Sequence, residues 1–509
     1  MCTGKANFPI ESKKVFPFSG YRFFSVLFFP FLLIFSVNLI FHICSGGVSA
    51  DSRGDRFDRL TWLEIFSGKS RKAWSPYLVG NEILGCPTTH SVSIHIVPRC
   101  NLFVYVSYRA IDNEKGDTTG TVHEKTTPIL SARGMQPLKI TLQNLEPFGK
   151  YRYQLFCSRQ EEGPYLPGSE HTFRTGRKKG APFTFAISSD SHMIPHGSHD
   201  IYHATLDNIA RLNPDFYMTL GDEAMIHSYS MFRPALTWKE AEHRYLFYRT
   251  MVSRITGSVP YFFVIGNHDG ECGFYRSLFP GLPGRALAAR KRFIPNPGEN
   301  TYPQGGGDRD NYFAFAWGDA LFVVLDVCFY NNRKPAYPDD WTIGNRQWEW
   351  LQNVLRKAPE KWKFIFAHHI VGGWPYGATG DAPGDGMWDF PYGRGGAALA
   401  QVGEQARLQA LMEETGVSAF FYGHDHVFAH GETRGVHYIC CGQSGDVGAL
   451  PWFNLSRFHA VYPDGFIPRN GWVQVEVDCQ GTRISFINSS ADRSNGTTIH
   501  SFVIKAGKP

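Results

Sequence analysis

The 509-residue sequence contains no Cys-x-x-Cys pair, which removes the zinc-finger and thioredoxin-like readings at the outset. It also has little surplus charge. A formal net charge of +5 over 509 residues is too mild for a nucleic-acid-binding stripe, and short basic runs such as Arg177-Lys178-Lys179 read as solvated linker. No internal repeat or low-complexity tract is present. A composition of 43% hydrophobic and 19% charged residues excludes a disordered or fibrous chain. No Ser or Cys stands beside a partner base in the manner of a nucleophile. A chain of this length has room for two or three domains with a large core.

One long apolar run exists, from Phe23 to Ile43, preceded by Lys5, Lys13, Lys14 and Arg22 and followed by the small residues Val48-Ser49-Ala50. Residues 1–50 are therefore expected to be a signal peptide, with an uncleaved membrane anchor as the alternative. Either way the body of the protein is expected to be exported: periplasmic, extracellular or on the cell surface. Eight of the ten cysteines follow this segment. Cys86, Cys100 and Cys157 are expected to give one disulfide and one free thiol, whereas Cys328, Cys440 and Cys441 read as small buried apolar residues. Asn454, Asn488 and Asn495 lie in glycosylation-type sequons.

Residues 72–177 alternate short strand-like pieces with Gly, Pro and Asn turns. The runs 91–97 and 102–108 have period two, as expected for half-buried strands. Runs at 138–145, 151–156 and 171–175 follow, and Leu145-x-Pro147-x-x-x-Tyr151 matches a tyrosine corner. This segment resembles a fibronectin type III β-sandwich. Residues 177–180 form a linker, and 181–509 read as a second domain with helices at 201–212, 238–255, 345–357 and 401–415. A hairpin is expected around Gly318-Asp319, and closing strands at 435–442, 471–478, 484–487 and 502–504.

In this second domain five short apolar runs each end in Asp, Asn or His. Phe183 to Ile187 leads to Asp190-x-His192, and Phe216 to Leu220 leads to Gly221-Asp222. Tyr261 to Ile265 leads to Gly266-Asn267-His268-Asp269. Lys363 to Ala367 leads to His368-His369, and Ala419 to Tyr422 leads to Gly423-His424-Asp425-His426. In open α/β sheets a ligand site lies beyond the carboxyl ends of the strands, so these groups would converge. Imidazole, carboxylate and amide oxygen together suit hard-to-borderline metal ions.

The ordered blocks D-x-H, G-D, G-N-H-[DE], H and G-H-x-H resemble those of the calcineurin-like metallophosphoesterases. With the preceding sandwich, the layout resembles that of the purple acid phosphatases. The resemblance implies a four-layer α/β/β/α domain behind the β-sandwich, holding two metal ions (Fe, Mn or Zn). One would be held by Asp190, His192 and His426, the other by Asn267, His368 and His424, with Asp222 bridging. Asn267 and His268 would face the phosphate, His268 as transition-state stabiliser or leaving-group acid. His369 is the second choice for the position given to His368. Two such cations activate a water and clamp phosphoryl oxygens, so the expected nucleophile is metal-bound hydroxide.

The expected activity is thus an exported phosphomonoesterase, with a phosphodiesterase or nucleotidase as the alternative and a non-catalytic binding protein as the outsider. The partner is a phosphate ester; no nucleic acid is expected. The pattern departs from the purple enzymes at Met225, where they carry the tyrosine that binds ferric iron. No Fe(III)-tyrosinate site is expected, and neither Tyr217 nor Tyr229 stands at the matching position. His196, His199, His203 and His227 read as surface or helix-face residues. The Gly-rich aromatic stretch 372–396 is a candidate substrate lid, with disordered decoration as the other reading.

Overall fold

The computed structural model describes residues 76–112, 124–193, 197–226, 237–332, 342–369, 404–446 and 466–505. The leading apolar run, the stretch 372–396, His196, His227, Tyr229 and Asn454 lie outside them. No helix among the described residues is long and apolar enough to cross a membrane.

The amino-terminal region is a β-sandwich. A three-stranded sheet (83–85, 92–96, 138–142) faces a sheet built on the strands 102–112, 150–158 and 166–174. Alternation places Val92, Ile94 and Ile96 opposite Val104, Val106, Tyr153 and Leu155 in one core. Tyr151 closes the corner: its hydroxyl accepts from the Glu146 backbone N–H at 2.7 Å. The expected disulfide is absent; Cys86, Cys100 and Cys157 are all free thiols. The reason is placement. That holds for Cys86, which leaves the smaller sheet and lies beside Tyr302; Cys157, on the larger sheet, has Cys100 and Glu82 as neighbours, and the two thiols are nonetheless unbonded.

The remaining chain folds as two sheets packed face to face with helices outside. One sheet has six strands, ordered 261–263, 216–219, 183–188, 471–477, 481–488 and 498–505. The other has seven: 313–317, 320–324, 362–366, 419–422, 436–441, 428–433 and 466–467. Residues 183, 185 and 187 point between the sheets while Ala186 points to the helices, because strand side chains alternate and both faces are covered. The inner layer is mostly phenylalanine, with Phe185 edge-on to Phe322 at 5.1 Å between ring centroids and Phe262 stacked on Phe315 at 4.5 Å.

The helices His199–Leu212, Trp238–Val252, Asn345–Lys357 and Glu404–Thr415 coincide with the periodic segments. The helix Leu282–Phe293 is one the pattern does not announce, since Gly281, Pro283 and Gly284 crowd its start. Asn488 is buried, and its side-chain nitrogen donates to Ser490 and Ser494, so this sequon offers no accessible amide.

The sandwich and the α/β domain are joined by buried polar contacts. Arg249, fully covered, donates to the carbonyls of Phe293, Asn81 and His95. Tyr153 donates to the Gly257 carbonyl at 2.7 Å. His95 lies in this contact with its Nε2 sealed and without a hydrogen-bond partner. Burial, and then the Arg249 charge, push its pKa down to about 3. The unfolded imidazole takes its proton near 6.5, so the unfolded state binds more protons over the window between. The stability due to neutral His95 is therefore complete above pH 6.5 and is lost as pH falls towards 3. Chemical unfolding of wild type and His95→Gln across pH 3–7 should show a steeper acid loss in the wild type, by at most about 1.4 kcal/mol per pH unit. Parallel curves would contradict this assignment.

Candidate metal centre

Three parallel strands of the first sheet (183–188, 216–219, 261–263) and two of the second (362–366, 419–422) end at a common edge. Their side chains are turned inward by unusual backbone. Asp190, His192, Asp222, His424 and His426 all have positive φ, between 45° and 70°. Each such non-glycine residue costs on the order of 1–3 kcal/mol and persists only where its surroundings over-determine it.

Those surroundings can be named. Asp190 N–H donates to the Gly221 carbonyl, and His192 N–H to that of Asp222. The His424 N–H donates to Asp190 Oδ2 at 2.8 Å. The buried Asp269 carboxylate accepts from the backbone N–H groups of Asp222, Glu223, Ala224 and Gly266. Burial and the neighbouring Asp222 charge raise its pKa to about 7. A Cβ on Gly423 would overlap Ser189 Oγ and the Asp190 carboxylate, and one on Gly266 would overlap Asp222.

Seven side chains meet at this edge. In one group, Asp190 Oδ1 faces His426 Nε2 at 3.4 Å and His192 Nε2 at 3.7 Å. In the other, His368 Nε2 lies 3.1 Å from His424 Nδ1 and 2.9 Å from Asn267 Oδ1. Asp222 Oδ2 stands between the groups, 3.5 Å from His192 Nε2 and 3.2 Å from His368 Nε2. The donor atoms of Asp190, His192 and His426 lie within 4.8 Å of one another, as do those of Asp222, His368 and His424.

This geometry fits metal ions. Donors bound at roughly 2.0–2.2 Å around one ion sit about 3–3.5 Å apart, close to the 2.9–3.7 Å between the facing donors here. Asp190 Oδ1 is fully buried and accepts no hydrogen bond, facing the histidine nitrogens across a gap. The outer nitrogens are held: His368 Nδ1 lies 2.8 Å from the Leu220 carbonyl.

The electrostatics agree. Burial alone would raise the Asp190 and Asp222 carboxyls, but the facing histidines hold both well below the usual range. Burial would likewise lower His368, yet the Asp222 charge lifts it to about 9. Metal ligation needs neutral imidazole, so a cation taken up here would displace protons from histidines such as His368, whose pKa the Asp222 charge raises.

His268 sits at the rim, about one-fifth exposed, with its ring 4.0 Å from Asp222 Oδ2 and its backbone N–H on Asp222 Oδ1. Of the two adjacent histidines, His368 enters the cluster. His369 turns towards Cys328 Sγ at 4.0 Å, with its ring 5.4 Å from that of His424. His199 and His203 lie on the helix 199–212, His199 against Phe247. Met225 is buried, and the Tyr217 hydroxyl is bonded to Ser188 Oγ at 2.6 Å, off the cluster. A residue that the strand-end pattern misses is Asp446. Its Oδ2 lies 3.1 Å from His192 Nδ1 and 3.2 Å from His426 Nδ1. The signal is a sixth strand, 436–441, ending at Gly442, but the acid follows four residues later.

Because the glycine at 423 lets two ligand-bearing loops touch, Gly423→Ala should weaken metal uptake at least about tenfold while leaving a folded sandwich. Equilibrium dialysis against zinc, with circular dichroism as the folding control, checks this; unchanged uptake would refute the packing argument.

Residues 183–428 match the family described as calcineurin-like phosphoesterase. No curated protein sequence matches the chain. Among solved structures, PhoD superposes with a TM-score of 0.62 at 15% identity, covering 86% of this chain and 91% of that one. A purple acid phosphatase from yellow lupin (Lupinus luteus) seeds gives 0.58 at 14% identity, covering 84% and 75%. Both likenesses are of fold, sandwich included. The blocks, their convergence and the family match lead to one conclusion: residues 183–428 form a calcineurin-like phosphoesterase domain, and the protein is a hydrolase acting on phosphoric esters.

Proposed function

We propose that the chain is an exported, two-metal phosphomonoesterase of the purple-acid-phosphatase-like branch. The observation that carries the reading is the shared Asp222 carboxylate between two histidine groups, the arrangement needed to keep two positive centres close. In this reading Asp190, His192 and His426 hold one ion, and Asn267, His368 and His424 the other, with Asp222 common to both. When bound, the ion pair would supply an activated water and neutralise phosphoryl oxygens. Iron, manganese and zinc all suit the donors. Met225 is a poor ligand for ferric iron, which speaks against a coloured tyrosinate centre. Export rests on residues 1–50, and membrane attachment on 23–43 remaining uncleaved.

The chain's own residues have defined tasks. Asn267 contributes a neutral oxygen, so one group carries less negative charge than the other. His268, at the exposed rim beside Asp222, is placed to stabilise the charge developing on phosphorus or to protonate the leaving oxygen.

Full-chain enzyme loaded with Mn, Zn or Fe should cleave an aryl phosphate monoester in preference to a bis-aryl diester. Diester preference would transfer the same site to the phosphodiesterase reading, and absence of turnover with metal bound would favour the binding protein. His268→Ala should lower kcat on the monoester by about 10²–10³-fold with metal content unchanged. An unaltered kcat would remove His268 from the chemistry.

A further inference from the structure

Asp446 belongs to none of the strand-end blocks, yet it touches two of their histidines. One oxygen, Oδ2, reaches both His192 Nδ1 at 3.1 Å and His426 Nδ1 at 3.2 Å. The two rings stand nearly perpendicular, at 87°, with centroids 4.5 Å apart. The carboxylate beside both Nδ1 atoms favours the tautomer that keeps its proton there and turns the Nε2 lone pair the other way; at His426 it acts through charge at 3.2 Å, since that Nδ1 makes no hydrogen bond. That way lies Asp190 Oδ1, which both Nε2 atoms face.

The loop carrying Asp446 is tied to the loop carrying Asp190 and His192. Ser444 donates to the Ser189 carbonyl through both its N–H and its hydroxyl, each at 2.8 Å. Ser198 N–H donates to the Gly445 carbonyl at 2.8 Å, and Asp446 pairs with Gly197 as a β-bridge. The second group is oriented differently, with His368 Nδ1 against the neutral Leu220 carbonyl.

We propose that Asp446 is a positioning residue for the metal held by Asp190, His192 and His426, and for that metal alone. One carboxylate oxygen aims two imidazoles at once, and its negative charge makes both better donors. The second metal owes nothing to it. The inference rests on the two-metal reading, and its test separates the two.

The full chain, freed of metal, is titrated with zinc by calorimetry as wild type, Asp446→Asn and Asp446→Glu. Wild type should show two binding events. Asp446→Asn should weaken one of them by about 10–100-fold and leave the other unchanged. Asp446→Glu, which keeps the charge, should recover part of the loss, and provides a second variant if the amide fails to fold. In a His368→Ala background, where the other group is disabled, the zinc that remains should be the one that Asp446→Asn weakens. Equal weakening of both events, or of neither, would overturn the inference with the two-metal reading intact. A wild type that binds no zinc would overturn both.

Discussion

A single carboxylate, that of Asp222, faces histidines contributed by two different sheets. His192 follows a strand of the six-stranded sheet and His368 a strand of the seven-stranded one, yet both Nε2 atoms lie within 3.5 Å of Asp222 Oδ2. That contact is possible only if the two sheets are held in fixed register with their carboxyl edges together. The phenylalanine layer between the sheets supplies this rigidity, since close-packed rings permit little sliding. The core of the domain and the geometry of the centre are therefore one constraint seen at two levels.

The centre concentrates features that destabilise an isolated fold. Five ligand positions adopt left-handed backbone, and carboxylates and imidazoles lie buried side by side. The strain is held by backbone hydrogen bonds to Asp269 and by close approach at Gly266 and Gly423. Such an arrangement is stable only because the charges compensate one another, and a cation in each group would complete that compensation. The sandwich is fastened to this domain through Arg249 and Tyr153.

Much of this was legible in the sequence because each signal is local. A buried strand ending in Asp or His reads directly from period and punctuation, and it repeats at Asp190, Asp222, Asn267, His368 and His424. Amphipathic helices such as 345–357 show the same way. What escaped depends on long-range placement. The helix 282–293 begins among Gly and Pro that usually mark loops, and tertiary packing of Ala286, Ala289 and Phe293 overrides that signal. Cys86 and Cys157 belong to different sheets with different neighbours, so pairing could not be judged from count. Asp446 follows its strand by several residues, and only the folded loop carries it back beneath His192 and His426.

The claim on which the account turns is that this edge holds two ions sharing Asp222. Anomalous X-ray diffraction from crystals of the metal-loaded protein tests it without reference to substrate. The account predicts two peaks per chain, about 3.5–4 Å apart, each within bonding distance of an Asp222 oxygen. A single peak, or two peaks of which Asp222 touches only one, would contradict it.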